Sequence, residues 1–349
     1  MRAFAVLQMV QGHTVDVLLS DNLRNMDNPV FAFWLFMRGM TAPIFMFTAG
    51  TVFTYLFRLA GKQFKENPRL IKGIKRFLLL VFLGYMLRYP TPTLVVFKNV
   101  TSEQWKIFFA VDVLQLIGFG ILFLMVLAFI SEKTGLSDTI IFTAGTLFFI
   151  ALYVPFGNIH WLNLLPAPLA GYMSAGTGSN FPLFPWAGYV VAGGVLGSYL
   201  AKNPNVFKST KFSLKLAGFG AGFIGLALIG NEIEIFLTGS SNFFSTSPDL
   251  IFFRIGIVLL LNSLVSFISI KIDTIPKILI LIGRNTLLIY IVHLCILYGS
   301  AWNPGLIIPF NRSFTGWETV FSALGMITLM TYMVILINKY KIRNKQLVT

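Results

Sequence analysis

The sequence predicts an all-α, polytopic integral membrane protein: a helical bundle of about ten transmembrane helices with both termini in the cytoplasm. Of its 349 residues, 56% are hydrophobic and 11% are charged, and the mean hydropathy is +0.77. A soluble domain carries about a quarter charged residues. The basic residues also cluster in short loops between apolar stretches, as they do where they set membrane topology. We expect residues 1–349 to form a single transmembrane domain.

Apolar windows of about 20 residues, the length that crosses a bilayer, occur ten times along the chain. The expected spans lie near 2–20, 31–57, 75–97, 107–130, 138–157, 184–201, 212–236, 249–270, 276–299 and 317–338. Lys and Arg concentrate after the second span, after the sixth and after the last, at 58–76, 202–215 and 339–345. These alternate loops are expected to be cytoplasmic, and an even number of spans agrees with two cytoplasmic termini.

Composition also bears on which partners the protein has. A net charge of +14 suggests nucleic acid, but the charges lie in the loops between spans, so we expect the lipid bilayer as partner and no nucleic acid. One cysteine, Cys295, excludes an internal disulfide framework, and three histidines on separate segments predict no metal site. The first span lacks a small-residue cleavage site, so no cleavable signal peptide is expected.

The first span, MRAFAVLQMVQGHTVDVLLSD, carries the most informative polar residues. Arg2 and His13 are eleven positions apart, which places them on one helix face and roughly 16 Å apart along the axis. Asp16 is a neighbour of His13 on that face. Because these groups are costly in hydrocarbon, they should face a protein interior or a wet cavity. We expect His13 to act as a catalytic base whose tautomer is held by Asp16.

Other polar residues inside the expected spans fall mostly in their extracytoplasmic halves. These candidates for binding substrate or stabilising an oxyanion are Arg38, Asp112, Gln115, Arg254 and His293. Towards the cytoplasm lie Arg2, Arg284 and Asn285. Structural alternatives remain open: Arg254 can snorkel to the interface, Arg38 can pair with Asp112, and Arg2 can be a topology anchor.

Four segments together resemble the transmembrane acyltransferase superfamily. They are RAFAVLQMVQGHTVDVLL, WLFMRGMTAPIFMFTAGTVFTYLF at 34–57, DVLQ at 112–115 and LILIGRNTLLIYIVHLCILYGS at 279–300. In this order they are similar to bacterial relatives of heparan-α-glucosaminide N-acetyltransferase, and also to the acyltransferase-three family. The chain departs from the family pattern at Ala3, where a Gly usually follows the Arg. In the family an Asp and further cytoplasmic residues usually precede the Arg, whereas only Met1 precedes Arg2 here, and we expect either that the chain starts late or that an upstream start was missed.

This resemblance implies transfer of an acyl group, usually acetyl from acetyl-CoA, to an amine or hydroxyl of an extracytoplasmic sugar or glycan. The match to the family's histidine implies that His13 is the catalytic base or carries the acyl group. Arg2, with Arg284 and Asn285, would hold the polar end of acetyl-CoA. Arg38, Asn285 or His293 would stabilise the tetrahedral oxyanion. We expect the protein in the bacterial cytoplasmic (inner) membrane, and a homodimer is one arrangement that the sequence allows.

Two other classes of function are alternatives to the acyltransferase. A transporter or flippase for a glycan or a small anionic solute would also bury Arg, Asp and His. The chain lacks paired Gly/Pro-broken helices at equivalent positions of two halves, the usual sign of a transporter site. A purely structural protein leaves the concentration of charged groups in the outer half unexplained. The sequence does not decide between N- and O-acylation.

Overall fold

The protein is an almost entirely helical membrane protein. The structure, a computed structural model, describes residues 1–244, 247–272 and 274–346, and the chain is 76% helical with almost no strand. Seven helices among these residues are long and apolar enough to cross a membrane, or eight if one bent pair forms a single span. The predicted fold class is therefore confirmed.

Among the described residues, fewer helices have the length and hydropathy of a membrane span than the ten spans expected, so that number is not confirmed. The first expected span is a helix of 17 residues, Arg2–Leu18, and the third is Pro68–Leu87, whose first half carries four basic residues. The expected span 276–299 is broken into Lys277–Arg284 and Thr286–Leu297, which are bent by 72°. Length and composition therefore support seven or eight spans and do not establish ten. The C-terminus, residues 347–349, lies outside the described residues.

The chain divides into two compact units, and the boundary falls inside a long helix, two residues after Pro43. Among the described residues, unit 1 comprises 1–45, 89–98 and 274–346. Its elements are α1 (Arg2–Leu18), the first part of α2 (Pro29–Leu59), α12 (Lys277–Arg284), α13 (Thr286–Leu297), β1 (Gly299–Ser300), β2 (Asn303–Pro304), α14 (Ile307–Phe310) and α15 (Gly316–Gln346). Helix α1 packs against α12, α13 and α15.

Unit 2 comprises 46–88 and 99–273. After the second part of α2 it contains α3 (Pro68–Leu87), α4 (Ser102–Phe109), α5 (Val113–Thr134), α6 (Asp138–Ala151), α7 (Tyr153–Gly157), α8 (Ala167–Ala170), α9 (Leu183–Lys202), α10 (Thr210–Thr238) and α11 (Asp249–Lys271). Its main packed pairs are α3 with α5, α6 with α9, α5 with α9, and α10 with α11. Helix ends follow local chemistry: Asp112 and Gln115 form a capping box before α5, and Gly135, at φ 70°, ends that helix.

The end of α1 is unusually well satisfied by hydrogen bonds. The last carbonyls of a helix have no partner within it. Here the backbone N–H groups of Arg312 and Phe314 donate to the carbonyls of Val17 and Leu18, each at 2.9 Å. The guanidinium of Arg24 donates to three further carbonyls of this end, including that of Asp16 at 2.8 Å. These contacts hold α1 at the end that carries the polar pair predicted from the sequence.

Candidate active site

Helices α1 and α13 lie side by side in unit 1 and run in the same direction. Near the start of both, Nη2 of Arg2 donates to Oγ1 of Thr286 at 2.8 Å. Near the other end, the ring of His13 lies beside that of His293, with 5.5 Å between ring centroids. The eleven residues from Arg2 to His13 correspond to a rise of about 16 Å. One helix pair therefore carries a basic group at one end and two imidazoles at the other.

The His13 side chain is held by a tyrosine. Its Nδ1 lies 3.0 Å from the hydroxyl oxygen of Tyr298, and the two rings meet edge to face at 5.5 Å. Tyr298 follows directly after α13, whereas His293 is inside that helix. His13 is partly exposed, so one ring nitrogen can be oriented by Tyr298 while the ring remains accessible to a substrate. An imidazole whose nitrogen is fixed by a hydrogen bond suits acid–base chemistry.

His293 is fully buried, and its tautomer follows from its contacts. Its Nδ1 lies 2.7 Å from the backbone carbonyl oxygen of Ile289. A carbonyl only accepts, so Nδ1 carries the proton, and Nε2 of the neutral ring is left as an acceptor. That Nε2 is buried without a hydrogen-bond partner. An oxyanion needs a donor, and the one N–H of the neutral ring already binds Ile289, so the expected role of His293 as an oxyanion stabiliser requires the protonated ring.

Asp16 binds an arginine, not the imidazole that we expected it to orient. Nε of Arg38 donates to Oδ2 of Asp16 at 2.8 Å, and Nη2 of Arg38 donates to the same oxygen. Spacing along α1 correctly puts Asp16 one turn beyond His13, but Arg38 on α2 lies close enough to take the carboxylate. Two charge-assisted donors compete effectively with one neutral imidazole N–H. The hydrogen bond that orients His13 comes instead from Tyr298.

A second carboxylate extends this charged group. Asp21 accepts from Nη1 of Arg312 at 2.9 Å and lies 3.6 Å from Nε of Arg24. Together with the Arg38–Asp16 pair, these contacts form a surface of three arginines and two aspartates at the end of α1. Sequence reasoning missed Arg24 and Arg312 because both lie outside the expected spans.

The break between α12 and α13 lies at the residues expected to hold a cofactor. Arg284 ends α12 and is exposed, and Asn285 separates the two helices. Nδ2 of Asn285 donates to the carbonyl of Leu281 at 2.8 Å and so satisfies the end of α12. Because α13 begins at Thr286, its N-terminus, which favours anions, lies beside Arg2.

The remaining predicted residues lie in unit 2, where each has a local role. Asp112 accepts from Nη2 of Arg88 at 2.6 Å and caps α5. The structural alternative in which Arg38 pairs with Asp112 is not what the structure shows, since Arg38 binds Asp16. Gln115 is fully buried, and its Oε1 accepts from the backbone N–H of Asp112 at 3.3 Å. The guanidinium of Arg254 lies 5.6 Å from the ring centroid of Trp186. Helix capping and a cation–π contact account for these positions without a substrate.

Tyr298 and Thr286 are the contacts of this site that sequence reasoning missed. A signal for Tyr298 existed: it is a tyrosine at the end of the expected span 276–299, five residues after His293. Thr286 directly follows the Arg284–Asn285 pair that was singled out. Tyrosine and threonine are both common in membrane helices. The role of each hydroxyl in this site is therefore recognised only from the residue that it contacts, His13 or Arg2.

The family model for heparan-alpha-glucosaminide N-acetyltransferase, catalytic, matches residues 1–238 of the chain. No curated protein and no solved structure matches the chain. The matched region includes Arg2, His13, Asp16 and Arg38, and it extends over more than half of the 349 residues. The chain therefore belongs to the heparan-α-glucosaminide N-acetyltransferase catalytic family of membrane acetyltransferases.

Proposed function

We propose that the protein transfers an acetyl group from cytoplasmic acetyl-CoA to an amine or hydroxyl of an extracytoplasmic sugar, with His13 as the reactive side chain. The observation that carries this proposal is the two-ended arrangement of unit 1. Arg2 and the start of α13 lie at one end, and His13, His293 and Tyr298 lie at the other. An enzyme that joins substrates from two sides of a membrane needs two such ends.

The donor end fits a phosphate-bearing substrate. Arg2 and Arg284 supply guanidinium groups, and α13 supplies a helix N-terminus; both favour phosphate. Asn285 lies at the break between α12 and α13, where its side chain binds a carbonyl in the last turn of α12. Acetyl-CoA would supply the thioester, and its pantetheine arm suits the rise of about 16 Å between Arg2 and His13. The basic loops at 58–76 and 202–215 support placing this end in the cytoplasm.

The other end of the helix pair, with His13, His293 and Tyr298, is suited to proton transfer and is where we place the acceptor. When Nδ1–H of His13 donates to Tyr298, the other ring nitrogen is free to take the proton of the acceptor's amine or hydroxyl as that group attacks the thioester carbon. The C–S bond of the thioester would then break, and coenzyme A would leave as a thiolate that takes up the proton held by His13. The same nitrogen is the atom that would carry the acetyl group if transfer has two stages. Nε2 of His293, a buried acceptor, suits binding of a donor hydrogen from the substrate or, once His13 has taken up a proton, from the His13 ring.

The family name suggests the acceptor. Heparan-α-glucosaminide carries a glucosamine amine, so N-acetylation of a terminal glucosamine is one candidate reaction. O-acetylation of a hydroxyl on an exported glycan is the other. Arg38 and Arg312, at 40% and 47% side-chain exposure, are positioned to contact a bound glycan. We place the enzyme in the bacterial inner membrane, with monomer and homodimer both compatible with the proposal.

The test is binding and turnover of radiolabelled acetyl-CoA by purified protein in detergent. His13→Ala is expected to retain donor binding and to lose label transfer to glucosamine-terminated and hydroxyl-bearing acceptors by at least about 10²-fold, the lower end of what a general base contributes. His160→Ala is the matched control, since His160 is exposed in a loop of unit 2 and should keep wild-type turnover.

Substantial acetyl transfer by folded His13→Ala protein would contradict the proposal that His13 is the reactive side chain. Failure of the wild type to bind donor at millimolar concentration would instead favour transport, and glycan flux would then be measured in vesicles.

A further inference from the structure

A tryptophan stands exposed on the hairpin that directly follows the residue orienting His13. Trp302 lies at the turn between β1 and β2 and is 49% exposed. Tyr298, whose hydroxyl contacts His13, is only four residues earlier, a chain length of at most about 14 Å. This inference deepens the proposed function, because it concerns how the same site would bind its acceptor.

The hairpin holds Trp302 in a fixed position. Ser300 pairs with Asn303, and Nδ2 of Asn303 donates to the carbonyl of Cys295 on α13 at 2.7 Å. Gly299, at φ 81°, allows the close turn, since a Cβ there would lie 2.7 Å from the carbonyl oxygen of Asn303. Because this turn is short and hydrogen-bonded to α13, Trp302 loses little conformational entropy when a ligand binds.

The indole offers an apolar face, not a polar edge. Its Nε1–H already donates to the carbonyl of Pro92 at 2.9 Å. The ring of Tyr89 stacks against it at 5.8 Å with an interplanar angle of 13°, so one face is covered. What remains exposed is therefore largely the opposite π face. Tyr89 and Pro92 belong to unit 1, in the segment 89–98.

These contacts favour a carbohydrate over lipid as the occupant of that face. A tryptophan in a membrane's aromatic belt places its ring in the interface and its N–H among polar headgroups or water. The N–H of Trp302 points instead to a protein carbonyl, and a second aromatic ring backs the indole. A flat aromatic surface, covered on its other face and four residues along the chain from the tyrosine that contacts His13, suits the apolar C–H face of a sugar ring.

We infer that Trp302, supported by Tyr89, is a stacking platform for a sugar ring of the acceptor next to the ring that is acetylated. The reacting sugar would lie at His13, and the adjoining ring of the same chain would lie on the indole. The platform would therefore select oligosaccharides over monosaccharides.

The kinetic test compares Trp302→Ala with the matched variant Trp317→Ala, which removes a tryptophan of the same unit that is 75% exposed. For a glucosamine disaccharide, Trp302→Ala should raise KM about tenfold, the scale of one aromatic contact. Its kcat, its KM for acetyl-CoA and its KM for free glucosamine should stay unchanged, and Trp302→Phe should recover part of the loss. An unchanged disaccharide KM, or the same effect in Trp317→Ala, would overturn the platform.

A second readout does not depend on catalysis. In His13→Ala protein in nanodiscs, the fluorescence of Trp302 is obtained as the difference between proteins with and without Trp302→Phe. The disaccharide should change this difference signal, and brominated lipid should not quench it. Quenching by brominated lipid without a disaccharide response would make Trp302 an interfacial residue. A fluorescence response to the disaccharide, together with a wild-type protein that transfers no acetyl group, would leave the platform standing while the proposed function fails.

Discussion

The charged pair next to His13 links two helices of unit 1 through two side chains. Asp16 is 18% exposed and Arg38 is 40% exposed, so water screens the pair only partly. Removing one member leaves the other partly buried and without its counter-charge. The resulting loss in the free energy of unfolding is larger than the net stabilisation that the intact pair provides. The effect of changing Asp16 should therefore depend on whether Arg38 is present.

We expect Asp16→Asn and Arg38→Gln each to destabilise the protein by about 1–2 kcal/mol, a value reduced from that of fully buried pairs because of their exposure. The double variant should be about 1 kcal/mol more stable than the sum of the two changes predicts. Thermal unfolding in detergent measures this double-mutant cycle, and kcat is measured beside it. Additive stabilities, with the same loss of kcat from Asp16→Asn in both backgrounds, would restore Asp16 as the group that orients His13.

At this scale, spacing along the chain predicted which residues of α1 share a face, and this part is supported by the structure. His13 meets His293, and Arg2 meets Thr286, near opposite ends of α13. Spacing does not say which neighbouring helix supplies a partner. The Arg38–Asp16 pair and the Tyr298 hydroxyl bond could therefore not be assigned from the sequence.

In unit 2, the second part of α2 and helix α9 pack with their backbones in close contact. A Cβ on Gly193 would lie 2.0 Å from the carbonyl oxygen of Phe47, and one on Gly197 would lie 2.3 Å from that of Thr51. Glycines four residues apart form a groove on one face of a helix, which is a common way for membrane helices to pack closely. No relaxation of a flexible side chain can remove these contacts, because the opposing atoms are backbone.

Gly193→Ala should therefore lower the stability of the protein by about 1–3 kcal/mol, the usual cost of overpacking. Gly225→Ala is the matched control: it changes a glycine within α10, where an added Cβ meets nothing within 4 Å. It should be neutral or slightly stabilising, because alanine favours the helix. Thermal unfolding in detergent compares the two, and an equal shift in both variants would show that close packing of α2 on α9 is not responsible.

Element boundaries were the part that hydrophobic windows predicted least well. The third expected span, 75–97, ends as helix α3 at Leu87, and the chain then passes Pro90 and Pro92, which cannot continue a helix without cost. The apolar residues that follow therefore form a loop segment of unit 1 and not the end of a span. The break at Asn285 lies within the single expected span 276–299, because its polar residues, Arg284 and Asn285, were interpreted as cofactor ligands and not as a helix end.

One buried carboxylate in unit 2 accepts hydrogen bonds from the ends of three other helices, and this bears on the membrane topology of the whole molecule. Asp138, at the start of α6, accepts from Nε of Arg58 at 2.8 Å, from Ser131 at 2.8 Å and from Ser198 at 2.6 Å. These donors lie near the C-terminal ends of α2, α5 and α9. All four helix ends therefore share one side, and the predicted topology assigns each of them to the cytoplasm. Arg58 also begins the most basic loop of the chain.

This shared side leads to a labelling prediction for the direction of transfer. In a Cys295→Ala background, Gln63→Cys introduces a thiol in the loop after α2, and Asn163→Cys introduces one beyond the opposite end of α6. Both positions are exposed. By the positive-inside rule, a membrane-impermeant maleimide added to intact bacterial spheroplasts should label Asn163→Cys and not Gln63→Cys, and both should react after permeabilisation. The reverse pattern would invert the topology. Arg2 and Arg284 would then no longer be assigned to the cytoplasmic side, and acetyl-CoA would no longer be a plausible donor.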